Sequence, residues 1–144
     1  MNLSDKLLNK YFDMARSVSQ LSDYYKQHHL GCVMIYKGKV IADGYNSLKT
    51  SPMQKQYNKY REFDEDSPNS GSLHAEMMTL ERCKYLDVEW SKVKVFIYRE
   101  HKSGIKAIAA PCPACRKARI DRGIKHLYYT GENSFIYEIM QEHS

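Results

Sequence analysis

No unbroken apolar stretch of membrane-spanning or leader length occurs in this chain of 144 residues, so neither a transmembrane helix nor a secretory leader is expected. Internal repeats, low-complexity blocks and a linker long enough to divide the chain are missing too. One domain over 1–144 is the expectation, since single cores commonly run ~100–150 residues. Cysteine is scarce, with only Cys32, Cys83, Cys112 and Cys115. Without an export signal the chain reads as cytoplasmic, where such a set is metal-binding or catalytic before it is a disulfide framework.

What is present describes a folded domain. Hydrophobic residues make up 42% of the chain, and 12 Tyr supply most of its aromatic character. The net charge of +5, from 22 basic and 17 acidic residues, is compatible with an anionic partner such as a nucleotide or nucleic acid, and equally with a solvated lysine-rich face.

The periodicity predicts an amphipathic helix over 4–27, with Leu3, Leu7, Phe12, Ala15 and Val18 at helical spacing and Asp5 in the first turn. Two apolar runs, 31–36 and 39–42, flank Lys37-Gly38 and predict a β-hairpin buried on both faces. Residues 47–71 are polar and irregular. Lys49, Lys55, Tyr57, Lys59, Tyr60 and Arg61 precede an acidic half, Glu62 and Asp64 to Asp66, and read as a solvated loop or a base-stacking surface. A helix over 73–86, with Leu73, Met77 and Leu80 on one stripe, leads to a strand at 93–98. After the 100–110 stretch a helix opens at the Pro-Cys-Pro-Ala-Cys of 111–115 and stops at Gly123, read as a left-handed C′ residue. A strand at 126–130 follows. Residues 135–140 suit helix or strand, and the short turn before them favours a hairpin strand. This order predicts an α/β fold with a central sheet and helices packed on it.

Two short clusters carry chemistry. In Pro111-Cys112-Pro113-Ala114-Cys115, Pro113 suits the first helical position, so Cys112 caps the helix and Cys115 follows one turn later. Residues three apart share a face, and the positive helix end favours thiolates, so both sulfurs can reach one zinc ion. His74 and Glu76 are two apart and would diverge by about 200° inside a helix. They converge only at a helix start, which Ser70-Gly71-Ser72 marks. His74, Cys112 and Cys115 then make three ligands, leaving the fourth zinc position to water, the catalytic arrangement. Glu76 stays off the metal and moves protons for the attacking water, whose pKa falls to roughly 7 in such sites.

Each cluster alone has a plainer reading: His-Ala-Glu is common, and a lone CxxC can be a redox pair or half of a structural zinc site. Cys32 and Cys83 lack CxxC partners and read as buried packing residues. Arg99, His101, Lys102 and Lys106 read as surface charge, with phosphate contact as the functional alternative. His28, His29, His126 and His143 lack ligand spacing.

The pair H-x-E…P-C-x-x-C is the signature of zinc nucleobase deaminases. Together with GCVMIYKGKVIADGYN at 31–46, LHAEM at 73–77 and APCPACRKA at 110–118, the sequence resembles the cytidine/deoxycytidylate deaminase superfamily over most of its length. The resemblance implies a three-layer α/β/α fold around a mixed sheet of about five strands, and one zinc per chain. It implies hydrolytic deamination of a cytosine-type base, with Asn46 and Ala75 as substrate-binding positions, and assembly into homo-oligomers. The histidine ligand resembles the dCMP, tRNA-adenosine and polynucleotide-editing branches, whereas a terminal hairpin resembles the free-nucleoside branch. Three readings stay open: a deaminase of free nucleosides or nucleotides, a deaminase of bases within single-stranded DNA or RNA, and a non-catalytic zinc-stabilised nucleic-acid-binding module.

Overall fold

A computed structural model describes residues 3–22, 28–47, 74–101, 103, 113–131 and 134–139. Its elements are α1 (Asp5–Ser19), β1 (His28–Tyr36), β2 (Lys39–Tyr45), α2 (Ala75–Cys83), a 3-10 turn (Trp90–Lys92), β3 (Lys94–His101), α3 (Pro113–Arg122), β4 (His126–Thr130) and β5 (Phe135–Ile139). The strands form one sheet in the order β2-β1-β3-β4-β5. Only the β3–β4 pairing is parallel, so the sheet is mixed. That parallel step is bridged by α3, as a crossover requires.

Strand alternation sends side chains to two cores, one on each face. Cys32, Met34, Val95, Ile97 and Leu127 face α2 and α3, where they meet Met77, Leu80, Cys83, Cys115 and Ala118. Val33, Ile35, Phe96, Tyr98 and Tyr128 face α1 and meet Leu8, Tyr11, Phe12 and Ala15. The result is the three-layer α/β/α arrangement expected from the sequence. Phe96 anchors the α1 side by stacking on Tyr128 at 4.5 Å between ring centroids and meeting Phe12 edge-on at 5.3 Å.

Several boundaries differ from the sequence reading. The first helix starts as expected, with Ser4 accepting from Leu7 N at 3.2 Å. It stops at Ser19 instead of 27, because the buried stripe Leu8, Phe12, Ala15, Ser19 has no apolar successor and Leu21 is exposed. β1 starts earlier, at His28, and β3 runs on to His101, because the two pair antiparallel from His28↔His101 to Ile35↔Lys94. The hairpin is buried on both faces only along β1. β2 is an edge strand with Lys39 and Val40 exposed. Gly123 takes φ +96°, and both its N–H and that of Ile124 reach Arg119 O at 3.1 Å, closing α3 as expected. Residues 135–139 form the hairpin strand, antiparallel to β4. Among the described residues no helix is long and apolar enough to cross a membrane.

Candidate active site

The first turns of α2 and α3 meet above the sheet. His74 is the N-cap of α2, with extended backbone (φ −80°, ψ 150°), and Glu76 lies in the first helical turn. The change of backbone direction at the cap lets two residues that would diverge inside a helix point to one place. Cys115, in the first turn of α3, is fully buried, and its Sγ stands 3.3 Å from His74 Nδ1. With a carboxylate oxygen of Glu76, these donor atoms all lie within 4.8 Å of one another. Glu76 is 3% exposed, an unusual setting for a carboxylate without a task.

The donor set fits zinc. Imidazole nitrogen and thiolate sulfur are its preferred ligands, and tetrahedral bonds of ~2.0 and ~2.3 Å put two such donors roughly 3.6 Å apart. The positive ends of both helices also favour a thiolate and a carboxylate at this point. Cys112, the remaining sequence-derived ligand, lies outside the described residues, as does the Lys/Tyr stretch at 49–61.

Gly44 on β2 sets the height of α2 over the sheet. A Cβ there would stand 2.5 Å from Thr79 Oγ1 and 2.6 Å from Ala75 O. The obstacle is the helix backbone beside His74 and Glu76, which cannot swing aside like a side-chain tip. Gly44→Ala is expected to cost about 1–3 kcal/mol of stability, as overpacking does. Urea denaturation checks this, and an unchanged midpoint would show that α2 can lift freely.

Asn46 is buried and heavily engaged. Its Oδ1 accepts from Leu30 N at 2.9 Å and Ser22 Oγ at 2.7 Å, and its Nδ2 donates to His28 O at 2.9 Å. These bonds use both acceptor positions of Oδ1 and one of two N–H donors. Ala75 is fully buried at the first position of α2, and its carbonyl accepts from Thr79 Oγ1 at 2.7 Å. Its N–H precedes the first intrahelical bond, which runs from Met78 N to His74 O at 3.0 Å.

Cys32 and Cys83 stand apart from the metal cluster, both free and buried, in agreement with their reading as packing residues. Burial, reinforced by the nearby Glu76 charge, pushes the Cys32 thiol up from its ordinary 9.0 to about 12, and burial pushes Cys83 to about 11. Above about pH 9 the unfolded chain releases protons that the folded chain keeps. Stability therefore falls as pH rises, each thiol adding a slope of about 1 kcal/mol per pH unit. Denaturation between pH 8 and 11 should give a shallower alkaline decline for Cys32→Ala than for the parent. Equal slopes would mean that Cys32 ionises freely in the fold.

Arg99 is placed differently from the surface-charge reading. Arg99 is half-buried, and its Nη2 lies 3.1 Å from His28 Nδ1. Burial draws Arg99 down, whereas Glu76 acts in the opposite direction, so the guanidinium lies within electrostatic reach of the site. Burial, Arg99 and His101 together hold His28 below its ordinary value, in keeping with a neutral imidazole accepting from Arg99. Arg119 is fully buried. Neither residue has a motif signal, since only the pairing of β1 with β3 and the packing of α3 bring them inside.

Two helix starts thus bring His74, Glu76 and Cys115 together over a mixed sheet, a donor set that could hold a metal ion. The family model for the cytidine and deoxycytidylate deaminase zinc-binding region matches residues 5–131, and the chain belongs to that family. No curated protein matches the sequence. In fold it is similar to the dCMP deaminase of cyanophage S-TIM5 in apo form, with TM-score 0.61, 21% identity, and coverage of 92% of this chain and 88% of that one. The same enzyme in complex with dCMP and dUMP gives TM-score 0.63 at 22% identity, over 89% and 83% of the two chains. The cytidine deaminase of Mycobacterium leprae gives 0.53 at 14% identity, over 90% and 91%. At such identities the likeness is one of fold.

Proposed function

We propose that this chain is a zinc-dependent hydrolytic deaminase that converts the cytosine base of a free nucleoside or nucleotide, such as cytidine or dCMP, to uracil with release of ammonia. The observation that carries this reading is the meeting of His74, Glu76 and Cys115 at two helix starts, with donor atoms within 4.8 Å. Family membership supports the same chemistry.

His74, Cys112 and Cys115 would hold the zinc, Cys112 by its position three residues before Cys115. Bound there, zinc supplies water acidified enough to act as a nucleophile near neutral pH. Glu76 is kept for proton transfer. Its carboxylate takes a proton from the attacking water and passes it to the ring nitrogen beside the amine-bearing carbon, then takes the second proton from the new hydroxyl as it becomes the carbonyl and gives it to the departing amine. Burial of Glu76 and Cys115 keeps bulk water from competing for these protons. The Ala75 N–H is a donor for the base, since the helix itself does not use it. The remaining N–H of Asn46 is the second donor for base or sugar.

The cyanophage dCMP deaminase makes dCMP the first substrate to try. Mass spectrometry of cytidine, deoxycytidine, CMP, dCMP and cytosine-containing oligonucleotides should show the amine-to-carbonyl change in at least one free nucleoside or nucleotide. Conversion confined to oligonucleotides would replace this reading with the polynucleotide one. No conversion at all would favour a zinc-stabilised binding module.

A further inference from the structure

Arg119 lies in the α2/α3 layer with 0% exposure, and its Nε, Nη1 and Nη2 are buried without a hydrogen-bond partner among the described residues. A guanidinium stays charged at any ordinary pH. Leaving such a charge buried and unpaired is strongly unfavourable, so the fold must gain something from it.

The placement points to the metal site. Arg119 follows Cys115 by four residues on α3, so the two lie on one helix face. Long helical side chains lean toward the N-terminus, which carries the guanidinium back toward the cysteine. Its charge acts on Cys32, as that of Glu76 does, so both lie within electrostatic reach of the same buried thiol. The other acid that feels Arg119 is Glu138, and that carboxylate is already engaged by Arg116 and by Tyr129 Oη at 3.4 Å. Glu100, the other buried acid, belongs to the α1 face, bonded to Tyr98 and Gln20. Among the described buried acids this leaves the metal cluster, Glu76 with the thiolate ligands, as the negative group that suits Arg119.

We propose that Arg119 is a positioning residue of the metal site, a fixed buried positive charge that offsets the thiolate ligands and raises zinc affinity. It acts through Cys115 and does not touch the substrate. The inference rests on the zinc reading of the site. In the metal-free chain Arg119 is a charge in the core without a hydrogen-bond partner among the described residues, and in the zinc-loaded chain the thiolate ligands add negative charge to match it. Zinc and Arg119 thus support one another, whereas a purely structural arginine would stabilise both forms alike.

The test compares the full chain with Arg119→Met, which keeps length and apolar volume, and Arg119→Lys, which keeps the charge. Zinc affinity is read by competition with a chromogenic chelator, and melting temperature is read with and without zinc. Arg119→Met should bind zinc about 10–100-fold more weakly, the usual effect of removing a partner of a metal ligand. Its metal-free form should melt no lower than the parent's, because a buried charge gives way to an apolar chain. Arg119→Lys should retain most of the affinity. Parent-like zinc affinity in Arg119→Met would overturn the proposal, as would a metal-free form that melts lower or does not fold. A parent chain that takes up no zinc would instead defeat the zinc reading itself.

Discussion

Replacing Glu76 by Gln is expected to lower kcat by about 10²–10⁴-fold, the range that a positioned general acid–base supplies, while zinc content stays at one per chain. The amide has the size of the carboxylate, so the packing of a residue that is 3% exposed is kept. What disappears is the ability to accept a proton from water and return it to the base. The substitution also decides a point of geometry. Glu76 stands close enough to His74 and Cys115 to be counted with them as a possible ligand. If it were one, Glu76→Gln would lose zinc together with activity. Steady-state kinetics beside metal analysis of the same preparation separates the two roles.

Cys115→Ala should have the second large effect, acting on the ion and not on the proton. The thiol is fully buried at the start of α3, 3.3 Å from His74 Nδ1, where solvent is poorly placed to substitute for it. Loss of an indirect partner already weakens metal binding by about 10–100-fold, so loss of a direct ligand should exceed about 100-fold. Activity should fall to background, and the melting-temperature gain on adding zinc should vanish. Treating the parent with a chelator should reproduce both results, and zinc should reverse them. A Cys115→Ala chain that keeps zinc and turnover would place the metal elsewhere.

Much of this site could be read from the sequence because its geometry is local. His74 and Glu76 can converge only at a helix start, and the chain adopts that start. Gly123 ends α3 with the left-handed backbone its position suggested. The strand at 135–139 was legible from the short turn before it, because β4 supplies an antiparallel neighbour. Illegible features depend on partners distant in sequence. Arg99, Glu100 and His101 look like the beginning of a polar loop, yet β1 pairs with them and extends the strand. Glu100 is buried only because Tyr98, Gln20 and Arg16 supply its partners. Arg119 sits in an Arg-Lys-Ala-Arg run that carries no motif signal, and the packing of α3 against the sheet turns it inward. Ala75 and Asn46 are intermediate: their places are fixed by hydrogen bonds, but the substrate each would face is set by loops whose convergence no periodicity encodes.

The measurement that bears most directly on the central claim is product analysis in ¹⁸O-labelled water. The zinc-loaded chain would be incubated with cytidine, deoxycytidine, CMP and dCMP, and the products read by mass spectrometry. Hydrolytic deamination predicts a uracil product carrying one ¹⁸O at the carbon that held the amine, with one ammonia released per turnover. All four compounds recovered unchanged from a zinc-loaded chain would contradict the account.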